Sequence, residues 1–190
     1  MKNNIILIGY MGCGKSTIGR QMAEVFRMPL MDTDSLIEEK EGICISEIFA
    51  VKGESYFRDL ETECLKSLLE ETKNIEMKEP ERTADGTSAT NKKCIISVGG
   101  GLPVREENQK LLKQLGLVIY LKAKPDTIYG RLKGDTSRPL LQTENPLQKI
   151  KDMLNYREEK YQAAAHQVID VDGKGIREII EEIGRIVKLQ

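Results

Sequence analysis

Tryptophan is absent, phenylalanine occurs three times and histidine once in the 190 residues. The four cysteines, Cys13, Cys44, Cys64 and Cys94, form no C-x-x-C pair, and only His166 could join them as a soft ligand, which argues against a zinc site. An excess of either charge is also lacking: 29 basic against 30 acidic side chains leave a net charge of -1, without the basic face that nucleic-acid backbones require. Apolar runs stop after a few residues, far short of the ~20 needed to span a bilayer. Met1 to Asn4 lead into only Ile5–Ile8 before a glycine, too little for a secretory signal, so the chain reads as cytoplasmic with reduced thiols. With 39% hydrophobic and 31% charged residues the composition is that of a soluble globular protein. A chain of this length buries roughly 70% of its unfolded surface, enough for one real core. No internal repeat and no linker divides it, so residues 1–190 read as a single domain, and no large apolar stripe argues against a monomer.

Ile5–Ile8 is a short β-branched run ended by Gly9, the pattern of a strand covered on both faces. Cys94–Val98, Leu117–Leu121, Val168–Val171 and a shorter stretch at Leu30–Met31 read the same way. Helical patterns lie between them over Ser16–Phe26, Glu54–Glu71, Glu106–Leu115, Pro146–Ala165 and Ile176–Val187. This alternation predicts an α/β fold, a three-layer sandwich about a central five-stranded parallel sheet. Ligands then sit beyond the carboxyl ends of the strands, at Gly9–Lys15, Asp32–Asp34 and Gly99–Gly101. Asn74–Lys93 is polar and carries Pro80 and Gly86, so it reads as an exposed insertion. Lys133–Asn145 is a second polar stretch, and it carries Arg138.

Gly9-Tyr10-Met11-Gly12-Cys13-Gly14-Lys15-Ser16 matches G-x-x-x-x-G-K-[ST] between a strand and a helix, the context in which this motif binds nucleoside triphosphates. Glycines let backbone N–H groups curl around phosphate oxygens, and the helix that follows adds its positive end. Lys15 supplies a point charge to the β- and γ-phosphates, and the Ser16 hydroxyl can ligate Mg²⁺. Cys13 lies in the loop, where an inert small residue is favoured over a reactive thiol.

The motif does not name the acceptor. Asp32-Thr33-Asp34 offers two carboxylates at i and i+2 of an extended stretch, one for Mg²⁺ and one for an acceptor hydroxyl. Equally, Asp34 could only cap a helix beginning at Ser35. Gly99-Gly100-Gly101 exposes backbone N–H groups to a small polar ligand, or only provides a turn. Arg58, Arg138 and Arg157 suit carboxylate or phosphate recognition. Arg58, between Glu54 and Glu61, could be an on-helix ion pair or a guanidinium held ready for a ligand. His166, near the end of a long helical pattern, reads as a surface or capping residue.

The segments GYMGCGKSTIGR, MDTD, GESYFRDLE, SVGGGLP, RLKGDTSRPLL and YREEKYQAAAHQVIDVD, in this order, resemble the shikimate kinase family, whose fold is the nucleoside-monophosphate-kinase-like P-loop type with a lid. The resemblance implies ATP-dependent phosphorylation of the 3-hydroxyl of shikimate with Mg²⁺, in aromatic amino acid biosynthesis. It implies substrate-binding helices over about 34–73 and a lid over about 133–145. Gly12, Cys13, Gly14, Lys15, Ser16 and Thr17 would hold ATP, with Arg131 beside the adenine and Arg138 on the γ-phosphate. Ser16 and Asp32 would serve the metal, Asp32 through water. Asp34 and Gly99, Gly100 and Gly101 would hold the acceptor hydroxyls, Arg58 and Arg157 would clamp the carboxylate, and Lys15, Asp34 and Arg138 would carry catalysis. The insertion at 74–93 is longer than the family's usual connection. Phosphorylation of another small hydroxy acid such as gluconate is the nearest rival.

Overall fold

The computed structural model of the chain describes residues 4–77, 93–133 and 143–188. Five strands, β1 (Asn4–Ile8), β2 (Leu30–Asp32), β3 (Ile95–Ser97), β4 (Gly116–Lys122) and β5 (Gln167–Asp170), form one sheet in the order β2-β3-β1-β4-β5. Every pairing is parallel, with Ile5 opposite Ile95 on one side and Leu117 on the other. The central strands are apolar through their middle positions because helices cover both faces: Ile6, Leu7, Ile8, Val118 and Ile119 have no exposed surface.

The helices are α1 (Lys15–Phe26), α2 (Thr33–Glu41), α3 (Ile45–Met77), α4 (Glu106–Leu115), α5 (Pro125–Leu132), α6 (Pro146–Ala164) and α7 (Ile176–Lys188), with one 3-10 turn at Leu102–Val104. All five expected strands and all five expected helices are present. The helical pattern read from Glu54 is the second part of α3, which begins at Ile45 and is broken at Gly53 (φ 83, ψ 168). No atom lies within 4 Å of a Cβ built there, so glycine serves the backbone angle rather than a close approach. α3 runs on to Met77, so the first residues of the expected insertion are helical, and 78–92 lie outside the described residues. Arg138 and the centre of the expected lid also lie outside them. α5 emerges beyond the expected patterns; it spans eight residues and buries only Ile128, too short for a periodic signal.

Two apolar clusters organise these elements. The larger joins the sheet to α1, α4, α5, α6, α7 and the later turns of α3. A smaller one, Ile37, Ile48, Phe57 and Leu60, binds α2 to α3 and is sealed by the Phe49 and Phe57 rings 4.9 Å apart. Because β1 is flanked by β3 and β4, the connections leaving β1 and β3 diverge to opposite sides of the sheet. Such a divergence opens a crevice beyond the strand ends, where Gly9–Lys15 and Gly99–Gly101 lie. Among the described residues no helix is long and apolar enough to cross a membrane.

Candidate functional site

The loop after β1 has the geometry of an anion cradle. Gly9, Gly12 and Gly14 take φ of 142, 76 and 109, and a Cβ on Gly9 would lie 2.6 Å from the Leu121 carbonyl oxygen. Gly14 caps α1 without a side-chain bond, so the first N–H groups of the helix remain open to an anion. Lys15 is buried, and its Nζ donates to the carbonyls of Gly9 at 2.8 Å and Tyr10 at 3.2 Å, across the mouth of the loop. Ser16 and Thr17 follow on the first turn, both exposed. Arg131 on α5 reaches back to the carbonyls of Gly12 (3.2 Å) and Cys13 (2.9 Å). Cys13 itself is buried.

Beyond β2 the structure corrects one expectation. The helix starts at Thr33, not Ser35, and its cap is Asp32, whose backbone is extended and whose Oδ1 accepts from the Asp34 N–H at 3.0 Å. Asp34 therefore lies in the first helical turn rather than in line with Asp32 on an extended stretch. Thr33, fully buried, accepts from the Gly99 N–H at 3.1 Å and fixes the start of α2 to the end of β3.

The three glycines each meet a different neighbour. A Cβ on Gly99 would fall 2.5 Å from Asp34 Oδ1 and 3.0 Å from Glu61 Oε1. On Gly100 it would press on Met11 N at 3.2 Å and the Gly9 carbonyl at 3.3 Å, in the phosphate loop; on Gly101 it would collide with the Arg58 guanidinium. Asp34, Glu61, Arg58 and the phosphate loop thus converge on one short turn. Arg157, from α6, joins them: its Nη1 donates to the Gly100 carbonyl at 3.2 Å and its guanidinium lies 5.6 Å from the centre of the Tyr10 ring.

The two arginines differ in their charge balance. Arg58 donates to Glu61 Oε2 and Glu54 Oε1, both at 2.8 Å. Arg157 is 8% exposed, and among the described residues no carboxylate pairs with it. A buried cation whose partners among the described residues are a carbonyl, the Tyr161 hydroxyl and a ring, with no counter-charge, is costly unless an anion arrives. Glu61 is 1% exposed and its Oε1 is unpartnered among the described residues. Burial pushes its pKa up to about 7, against the pull of Arg58 and with a further push from Asp34.

Among the described residues no group of three or more His, Cys, Asp or Glu could enclose a metal ion. The exposed Ser16 hydroxyl and Asp32, one of whose oxygens is committed to the cap, suit a cation held mainly by phosphates and water, as Mg²⁺ is. His166 is exposed, as expected of a surface residue, and its Nδ1 accepts from the Val118 N–H of β4 at 3.0 Å, while the cap of α6 is Ala165. The depth of Glu61, the Thr33 tie and the Tyr161 hydroxyl on Gly100 are absent from the sequence reading; their only signal was adjacency, Glu61 to Arg58, Thr33 between two aspartates and Tyr161 one turn beyond Arg157.

The sequence profile of the shikimate kinase family matches residues 11–76 and 78–188. A shikimate kinase of Thioalkalivibrio sulfidiphilus is 37% identical over 187 residues, covering 98% of this chain and 88% of its own. One from Sulfurihydrogenibium is 39% identical over 180 residues, 95% of each chain. Among solved structures, shikimate kinase from Acinetobacter baumannii in complex with shikimate superposes with a TM-score of 0.81 at 34% identity, covering 97% of this chain and 92% of that one.

Proposed function

The chain belongs to the shikimate kinase family, and from that premise we propose how its residues divide the ATP-dependent phosphorylation of shikimate that serves aromatic amino acid biosynthesis. The backbone from Gly12 to Thr17 holds the triphosphate, Lys15 turns its Nζ from the Gly9 and Tyr10 carbonyls to the phosphate oxygens, and Arg131 flanks the nucleotide beside the adenine. Mg²⁺, with Ser16 and a water on Asp32, supplies charge neutralisation on the phosphates when bound. Arg58 and Arg157 grip the shikimate carboxylate, while Asp34 and the backbone of Gly99, Gly100 and Gly101 hold its hydroxyls. Asp34 accepts the proton that leaves the 3-hydroxyl as its oxygen attacks phosphorus. Arg138, assigned from its motif, balances charge on the γ-phosphate.

The observation that carries this reading is Arg157: a buried guanidinium without a carboxylate partner among the described residues, hydrogen-bonded to a glycine that abuts the phosphate loop. An organic anion held there has its hydroxyls within reach of a transferable phosphoryl group. Each charge-assisted hydrogen bond is worth roughly 1.5–3 kcal/mol, so two arginines on one carboxylate reject uncharged alcohols by orders of magnitude. A single-domain monomer in the cytoplasm completes the reading, supported by one sheet through all described segments and by four unbridged cysteines. A coupled assay offering shikimate, gluconate and nucleoside monophosphates in parallel tests it. ADP release that requires both Mg²⁺ and shikimate is expected, and a sample that binds ATP yet releases no ADP with shikimate refutes it.

A further inference from the structure

Behind the triple-glycine turn lies a knot of buried polar side chains from α6 and β4. Tyr161 has no exposed surface, and its hydroxyl donates to the Gly100 carbonyl at 2.6 Å. The same oxygen accepts from Arg157, one helical turn earlier, at 3.2 Å. One carbonyl thus receives two donors from a single face of α6. The Tyr161 ring packs against Tyr120, centroids 5.1 Å apart, but the Tyr120 hydroxyl leads elsewhere: it donates to Glu158 Oε2 at 2.8 Å. Only one member of this tyrosine pair therefore touches the turn.

The consequence follows from peptide geometry. The Gly100 carbonyl and the Gly101 N–H belong to one planar trans peptide and point in opposite directions. Holding the carbonyl against α6 turns the Gly101 N–H away from α6, and among the described residues that N–H has no acceptor. Glycines offer no side chain to fix this plane, and alternative φ and ψ are open to them. We propose that Tyr161 is a positioning residue for the acceptor: its hydroxyl locks the Gly100–Gly101 peptide so that the free N–H faces the substrate while Arg157 stays aimed at the carboxylate. This rests on the assignment of Arg157 and the glycines to shikimate.

The test is Tyr161→Phe, which keeps the buried ring and removes only the hydroxyl, with Tyr120→Phe as a control equal in packing. Initial rates are measured against shikimate and against ATP, with thermal denaturation alongside. Losing one buried hydrogen bond to the turn is expected to raise KM for shikimate about tenfold, leaving KM for ATP within about twofold. Tyr120→Phe is expected to leave both constants within about twofold of the parent. The proposal is overturned if Tyr161→Phe keeps the parental KM for shikimate, if both Michaelis constants rise together, or if Tyr120→Phe reproduces the rise. Arg157→Ala separates the two levels: no change in KM for shikimate overturns the substrate assignment and this inference with it, whereas a rise without one in Tyr161→Phe overturns the tyrosine's role alone.

Discussion

Replacing Glu61 by Gln removes a carboxyl that folding places next to Asp34 and Arg58 and almost wholly out of water. Its pKa rises from 4.5 in the unfolded chain to about 7 in the folded one, with burial the main cause. Between those values the native state holds a proton that the unfolded state has released, so stability falls as pH rises through the window. The contribution is complete below the unfolded pKa, where the group is neutral in both states, and is gone above the folded pKa. At 1.36 kcal/mol per unit the whole excursion amounts to roughly 3 kcal/mol. Gln fills the same space and can accept from Arg58, yet does not titrate. Urea unfolding followed by far-UV circular dichroism suits a chain without tryptophan, and measurements from about pH 5 to about pH 8 cover the window. The parent is expected to lose 2–3 kcal/mol more than Glu61→Gln over that range, to order of magnitude. Parallel curves for the two proteins, or a parent that gains on the variant as pH rises, would refute the account.

Asp34→Asn is expected to lower kcat by roughly 10²–10⁴ with KM for ATP nearly unchanged, measured by coupled ADP release; turnover at the parental rate excludes a proton-accepting role. Arg157→Ala is expected to raise KM for shikimate more than Arg58→Ala does, because Arg58 is already balanced by Glu54 and Glu61 whereas Arg157 has no carboxylate among the described residues. Steady-state kinetics on the pair decides, and the reverse order contradicts the charge argument. Asp32→Asn keeps a good helix cap and removes the charge, so thermal stability should hold while the Mg²⁺ concentration for half-maximal rate rises; Asp32→Ala should also lose about 1 kcal/mol of stability. Gly101→Ala forces the Arg58 guanidinium to move, so KM for shikimate should rise with the nucleotide constant preserved, as isothermal titration with each substrate would show.

Elements whose signal is local were legible in the sequence. Ile5–Ile8 and Leu117–Leu121 announce buried parallel strands by unbroken apolar runs, and the phosphate loop declares itself by glycine spacing between a strand and a helix. The start of α2 was not legible, because Asp32 and Asp34 are both competent caps and the choice depends on where β2 ends. Nor was the charge state of Glu61. At three residues from Arg58 it reads as an ordinary surface pair, and only the approach of Asp34 from another helix and of Gly99 from the turn after β3 turns it into a buried acid. The glutamates that balance Arg58 were legible at i-4 and i+3 in the sequence; the burial of Arg157 without a carboxylate partner among the described residues was not.

The turn after β3 also bears on redesign of acceptor choice. A side chain on each of its glycines would press on a separate neighbour, Asp34 at the first, the backbone of the phosphate loop at the second and Arg58 at the third. No single compensating change elsewhere could release all three, so a side chain at each position has a separate consequence: Asp34 or Glu61 must shift at the first, the phosphate loop at the second and Arg58 at the third. Engineering toward a different hydroxy acid is therefore better directed at the helical residues around the turn, since each change within it disturbs Asp34, the phosphate loop or Arg58.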